Sequence, residues 1–207
     1  MVKVVLFGGT GGCGSAFLQY ALDADHSIVL QARTPSKVTI IHEKLKVVQG
    51  DSTSAEDVLG VCEGCDVAVC CVGAPEGSKV LIMESTAKNI VAACKAHSIG
   101  RCYFITSLGI GGSSPTIRCI LTAINGGDKM ADFEAADEAI LDAGFTAIRP
   151  DGLSDSGEPS GKYNATAETG MGMGMLHKSD VGLFICDEIT KNEWSGNPVQ
   201  IYKKKGK

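Results

Sequence analysis

Behind the apolar run Met1-Val2-Lys3-Val4-Val5-Leu6-Phe7 lies Gly8-Gly9-Thr10-Gly11-Gly12-Cys13-Gly14, with glycine at 8, 11 and 14. Glycine permits a tight turn, lets the main chain approach a ligand closely, and lets a following helix pack against a sheet. The free N–H groups and positive dipole at that helix's start receive anionic charge. Gly8, Thr10, Gly11, Gly12, Cys13 and Gly14 therefore read as a cradle for a diphosphate.

A second apolar run ends in Gln31-Ala32-Arg33-Thr34-Pro35-Ser36-Lys37. A site that prefers an unphosphorylated ribose places an acid about here to accept its hydroxyls. No Asp or Glu occurs from Ile28 to Lys37. Arg33 instead offers a planar, permanently charged fork suited to a 2′-phosphate, with Thr34, Ser36 and Lys37 at hand. NADP(H), rather than NAD, is the expected cofactor. Gly50-Asp51-Ser52 follows a third apolar run, where Asp51 can accept from an adenine amino group with Ser52 beside it. Val72-Gly73-Ala74-Pro75 follows a fourth, where glycine lets the backbone pass close to a cofactor. Each is a turn signal alone; together they mark consecutive strand ends.

The elements that must position these residues follow from periodicity. Strands are predicted at Lys3–Phe7, Ser27–Gln31, Leu45–Gln49, Asp66–Val72, Arg101–Thr106, Thr146–Pro150 and Val199–Tyr202. Helices are predicted at Gly12–Ala24, Ala55–Val61, Val80–His97, Lys129–Ala143 and Lys178–Thr190, the last with Ser179 or Asp180 as cap. The strands are mostly continuous apolar runs, as when helices cover both faces of a parallel sheet. Strand–helix alternation over 207 residues points to a single α/β domain with a doubly wound, mostly parallel sheet of the Rossmann type. Its crossovers are expected to be right-handed. Residues 108–127 and 151–175 read as long loops at the carboxyl side of the sheet, where α/β ligands bind.

A net charge of −5 argues against a nucleic-acid or anionic-membrane surface, which needs clustered Lys and Arg. The tail Lys203-Lys204-Lys205-Gly206-Lys207 reads as a solvated terminus. No run approaches the roughly 20 apolar residues of a membrane span, and the amino terminus reads as a buried strand, not a secretion signal. Nine cysteines without such a signal suggest a reducing cytoplasmic setting. Cys62-Glu63-Gly64-Cys65 and Cys70-Cys71 read as buried thiols, because adjacent strand residues point to opposite faces and cannot converge on zinc. His26, His42, His97 and His177 form no constellation, and Asp151 and Asp155 read as solvated loop carboxylates. No metal is expected.

Beyond the glycine turn and Arg33, the chain carries Ala87-Lys88-Asn89-Ile90-Val91-Ala92-Ala93, Thr106-Ser107, Gly144 through Pro150, and Lys178-Ser179-Asp180-Val181-Gly182. Over nearly its whole length it thereby resembles the atypical short-chain dehydrogenases/reductases of the NmrA-like group, in their flavin- and biliverdin-reductase branch. The resemblance implies NADPH as hydride donor and a planar conjugated acceptor such as a flavin or biliverdin isomer. It implies Ser107 as the catalytic-site serine and adds Thr106 and Pro150 to the cofactor contacts. The Tyr-x-x-x-Lys pair of active dehydrogenases would fall at Lys129 and Phe133 and is missing, as it is in that reductase branch. The branch's pocket histidine corresponds to Gly152. Three readings follow: an NADPH-dependent reductase; a non-catalytic NADP(H)-sensing regulator with a protein partner, as in some NmrA-like relatives; and an epimerase or dehydratase, against which the missing pair counts most.

Overall fold

The computed structural model describes residues 1–73, 78–168 and 174–203. Its centre is an eight-stranded sheet in the order β3-β2-β1-β4-β5-β6-β10-β8. The strands are β1 Lys3–Phe7, β2 Ser27–Ala32, β3 Leu45–Gln49, β4 Val67–Cys70, β5 Arg101–Ile105, β6 Thr146–Pro150, β8 Asn164–Thr166 and β10 Val199–Tyr202. All pairings in that sheet are parallel except β8, which runs antiparallel along β10. A separate parallel pair joins β7 Gly152–Ser154 to β9 Met175–His177. The chain leaves β1 toward β2 and β3, then returns to place β4 on the other side of β1. The strand order therefore reverses between β1 and β4.

Strand alternation builds two layers. Val4, Leu6, Ile28 and Leu30 pack on one face beneath α1 Gly12–Asp23 and α6 Lys178–Lys191, through Phe17, Leu18, Phe184 and Ile185. Val5, Phe7 and Val29 pack on the other beneath α2 Ala55–Val61, α3 Met83–Ala96 and α5 Gly127–Asp142, through Val58, Ile90 and Ile140. Both faces are apolar because both are covered. The close pair α1 and α6 depends on Gly182, where a Cβ would stand 2.6 Å from Phe17 N.

The structure departs from the sequence expectations at several places. Residues 108–127 contain the helix α4 Pro115–Asn125, capped by Ser114 Oγ, which accepts from Ile117 N at 3.4 Å. Ser-Pro before Ile117, Ile120, Leu121 and Ile124 is a helix start with helical spacing. Within residues 151–175, β7, β8 and the first residue of β9 form where no period is visible, because these short strands pair with distant partners. α3 starts later than Val80, at Met83, where the carboxylate of Asp132 on α5 accepts from Ile82 N, Met83 N and Glu84 N, each at 2.9 Å. α6 is capped by His177, whose Nδ1 accepts from Ser179 N at 3.1 Å, rather than by Ser179 or Asp180. Asp180 is instead buried and accepts from Gly161 N at 2.9 Å and Ser160 Oγ at 2.7 Å, tying the 151–175 segment to α6. Asp151 is buried too, against the expectation of a solvated carboxylate. It accepts from Gln200 Nε2 at 2.8 Å and Gly174 N at 3.3 Å. Residues 169–173, which hold most of the alternating Gly-Met stretch at 170–175, Ala74-Pro75 and the lysine tail beyond Lys203 lie outside the described residues.

Candidate functional site

Behind β1 the chain turns at Gly8, which has φ +80°; a Cβ there would lie 2.5 Å from the Cys71 carbonyl carbon. Gly8 O accepts from Gly11 N at 3.1 Å and closes the turn. A Cβ on Gly14 would stand 2.2 Å from Gly8 O. These two glycines are therefore demanded by the fold, Gly8 to pass the end of β4 and Gly14 to seat α1 on the turn. Gly12 is tight as well, with a Cβ 2.5 Å from Lys178 Cδ. Gly11 differs. Its Cβ would meet only Gly8 O, at an ordinary 3.5 Å, so the protein's own packing does not require glycine there. No side chain caps α1 at Gly11 and its first turn holds no acid. The N–H groups that begin the helix are thus left for an outside acceptor.

The ends of β1, β2, β3 and β4 frame a crevice of about 330 Å³ at the reversal of strand order, the place where open α/β sheets bind ligands. Of the residues singled out in the sequence, Gly8, Thr10, Gly11, Arg33, Asp51, Ser52, Val72 and Gly73 line it together. Gly12, Cys13, Gly14, Thr106, Ser107 and Pro150 do not. The Cys13 side chain faces the core, and burial pushes its thiol up to about 12, which leaves its backbone as the part a ligand could reach. Sequence reasoning missed Gln31, Ala32, Gly50, Thr53, Cys71, Val80 and Ile82, which also line the crevice. The first five flank residues already singled out at strand ends. Val80 and Ile82 are brought over by the approach to α3.

Arg33 is exposed on the rim, and its guanidinium makes no hydrogen bond or ion pair with the described residues. Asp51 Oδ1 accepts from Thr53 N at 2.9 Å and Thr53 Oγ1 at 2.8 Å. The Thr53 bonds, with Arg33's charge in addition, hold the Asp51 carboxyl below the usual carboxylate range. α3 steadies this loop: Asn89 Nδ2 donates to Ser52 O at 3.1 Å, and Thr86 Oγ1 lies 3.2 Å from Ser52 Oγ.

Past the crevice, Thr106 and Ser107 follow β5. Thr106 Oγ1 donates to Asp137 Oδ1 at 2.8 Å and is fully buried, so it is spent on structure. Ser107 is half-buried and its Oγ donates to Leu108 O at 2.9 Å. Lys129 and Phe133, where the Tyr-x-x-x-Lys pair would fall, sit on α5. Cys62, Cys65 and Cys70 are buried thiols, with burial pushing Cys62 and Cys70 up to about 12. Among the described residues no three His, Cys, Asp or Glu side chains converge as metal ligands, and no helix is long and apolar enough to cross a membrane.

A glycine turn into an uncapped helix, at the strand-order reversal of a mostly parallel sheet, defines a Rossmann-type dinucleotide-binding protein. The sequence matches the NAD(P)H-binding family over residues 8–192, and the chain belongs to that family. Solved structures share the fold across the full length. A Rossmann-fold NAD(P)-binding family protein of Shigella flexneri is 21% identical, with a TM-score of 0.77, and the match covers 100% of this chain and 98% of that one. ChuY of Escherichia coli O157:H7, an anaerobilin reductase, is 19% identical with a TM-score of 0.81, covering 99% and 98%. A short-chain dehydrogenase/reductase of Veillonella parvula is 18% identical with a TM-score of 0.79, covering 98% and 95%. At such identities the likeness shows the fold, and it agrees with the resemblance to atypical short-chain dehydrogenases/reductases.

Proposed function

We propose that the protein is an NADPH-dependent reductase whose acceptor is a planar conjugated molecule, a flavin or a linear tetrapyrrole. The observation that carries the cofactor choice is Arg33, a guanidinium on the rim of the glycine-lined crevice with no hydrogen bond or ion pair among the described residues. A 2′-phosphate is the dianion such a fork pairs with best, and an arginine held ready without a partner gives up nothing to receive it. Gly11 and Gly73 support the fit: both line the crevice, and a Cβ on Gly73 would meet nothing within 4 Å, so their smallness serves a ligand rather than the fold.

Bound NADPH would supply the hydride. The protein's own residues bind, orient and exclude water. Gly8 to Gly14 and the α1 N-terminus would hold the diphosphate, Arg33 the 2′-phosphate, and Asp51 and Ser52 the adenosine end, while Val72 and Gly73 would leave room for the cofactor at the end of β4. Ser107, beyond the crevice after β5, would offer its hydroxyl to the acceptor or to the cofactor's carboxamide. A flavin or linear tetrapyrrole takes its proton from water, so the absent Tyr-x-x-x-Lys relay is not needed. ChuY, whose fold this chain shares, is an anaerobilin reductase, which favours a reductase.

The test is calorimetric and kinetic. NADPH is expected to bind at least tenfold more tightly than NADH, and Arg33→Glu to abolish that preference. NADPH oxidation is then followed with FMN, riboflavin or biliverdin, where turnover above the uncatalysed rate is expected with at least one. No heat with NADPH sinks the dinucleotide reading, NADH preference sinks the role of Arg33, and binding without any turnover sinks the reductase.

A further inference from the structure

Gln31 occupies an unusual position. It is the penultimate residue of β2 and only 5% exposed, yet it is among the residues that line the crevice. Its Nε2 is, among the described residues, the one buried side-chain nitrogen or oxygen without a hydrogen-bond partner. Buried polar groups are almost always satisfied, and an unsatisfied amide donor is unfavourable by an amount comparable to a lost hydrogen bond. The surroundings make room for the amide. A Cβ on Gly50 would stand 2.8 Å from Nε2, so any larger residue at the end of β3 would displace it. In the strand ladder Gln31 pairs with Phe7 and Val48, both apolar, which gives the amide nothing to bond on either side. The chain keeps a primary amide, in a wall of apolar neighbours, at the edge of a ligand crevice.

We infer that the Gln31 carboxamide reads the adenine base of the dinucleotide. This rests on the dinucleotide reading above and deepens it. The crevice between the ends of β2 and β3 lies on the adenosine side of the strand reversal. Arg33, assigned above to the ribose phosphate, lies two residues further along the chain, just past the end of β2. A carboxamide carries one acceptor and one donor side by side in a plane. Adenine's edge presents the complement, an exocyclic amino donor beside a ring-nitrogen acceptor. Asp51 offers acceptors only, so it can recognise the amino group but not the ring nitrogen. Nε2 itself is closed off beside Gly50 in the ligand-free fold, so Gln31 supplies the missing donor by turning its amide toward the base, and base recognition then satisfies a group left unpaired among the described residues.

The experiment compares NADPH with its deaminated analogue, in which hypoxanthine replaces adenine, on wild-type protein and on Gln31→Met, a substitution of similar length without polar atoms. Calorimetry on the wild type is expected to show tighter binding of NADPH. Gln31→Met is expected to bind NADPH on the order of tenfold more weakly, with its preference over the analogue much reduced. The ligand-free melting temperature of Gln31→Met is expected to equal or exceed the wild type's, since the amide nitrogen finds no hydrogen-bond partner among the described residues. A structural role would lower it. Unchanged NADPH affinity in Gln31→Met, or equal loss of NADPH and analogue, overturns the inference while the dinucleotide reading stands. Wild-type protein that binds neither ligand overturns the earlier reading itself. Should Gln31→Met not fold, the amide is structural and the inference fails.

Discussion

Arg149 on β6 grips Asp137 on α5 with two parallel bonds, Nε to Oδ1 at 3.0 Å and Nη2 to Oδ2 at 2.5 Å, with both side chains almost fully buried. The same pair reaches the loop after β5. Asp137 Oδ1 accepts from Thr106 Oγ1, and Arg149 Nη1 donates to Gly111 O at 3.1 Å. The Gly111 position must stay bare, since a Cβ would stand 2.1 Å from Arg149 Nη2. One ion pair thus fixes both ends of the segment that carries Ser107.

Removing one partner leaves a buried charge. Arg149→Met is expected to destabilise the fold by about 3–5 kcal/mol, and the double variant Arg149→Met/Asp137→Leu by less than the single one. Urea unfolding of the three proteins measures both. A single-variant loss below about 1 kcal/mol would show that water reaches and screens the pair.

The two glycines of the turn separate folding from binding. Gly8→Ala forces a side chain into φ +80° against the β4 backbone, with an expected loss of about 2 kcal/mol or more. Gly11→Ala has room and is expected to stay within about 1 kcal/mol of the parent, while NADPH affinity falls because the added methyl lines the crevice. Melting curves beside binding isotherms separate the two, and equal behaviour of both variants would contradict the division.

Thiol reactivity follows burial. Cys119 on α4 is exposed, whereas burial pushes Cys13, Cys62 and Cys70 up to about 12 and Cys71 well above its ordinary value. A maleimide at pH 7 is expected to modify one thiol of the folded protein quickly and all nine after denaturation. Cys119→Ser removes the fast one. Fast modification of Cys71 instead would mean that the crevice floor opens readily.

Glu188 on α6 accepts from Trp194 N at 3.0 Å, yet burial holds its carboxyl above the usual range. A raised folded value favours the protonated form. Its stabilising contribution is complete below the unfolded value, near ~4.3, and is lost as pH rises through the folded value. Glu188→Gln lacks this titration, so its stability relative to wild type is expected to rise between pH 4 and pH 8. Denaturant unfolding across that interval reads the slope, and a fall would refute the assignment.

What the amino-acid sequence determined by itself was everything governed by near neighbours along the chain. Continuous apolar runs drew the sheet, and the glycines at 8, 11 and 14 drew the turn, because apolar content over a few residues and backbone freedom are local properties. Arg33 stood out through the absence of acids around it. α4, within a stretch that reads as a loop, carries local signals too, in Ser114-Pro115 and the spacing of Ile117, Ile120, Leu121 and Ile124. Tertiary structure alone decided the rest. Asp132 caps α3 across some 48 to 50 residues, Asp151 meets Gln200 across 49, and β8 finds β10 at the sheet edge. A carboxylate's partner depends on which distant elements the packed layers bring alongside it, and no period in the chain encodes that. Gln31 shows the same limit most clearly. In the sequence it is a polar residue at a strand end, and only the folded walls around it leave its amide buried and unanswered.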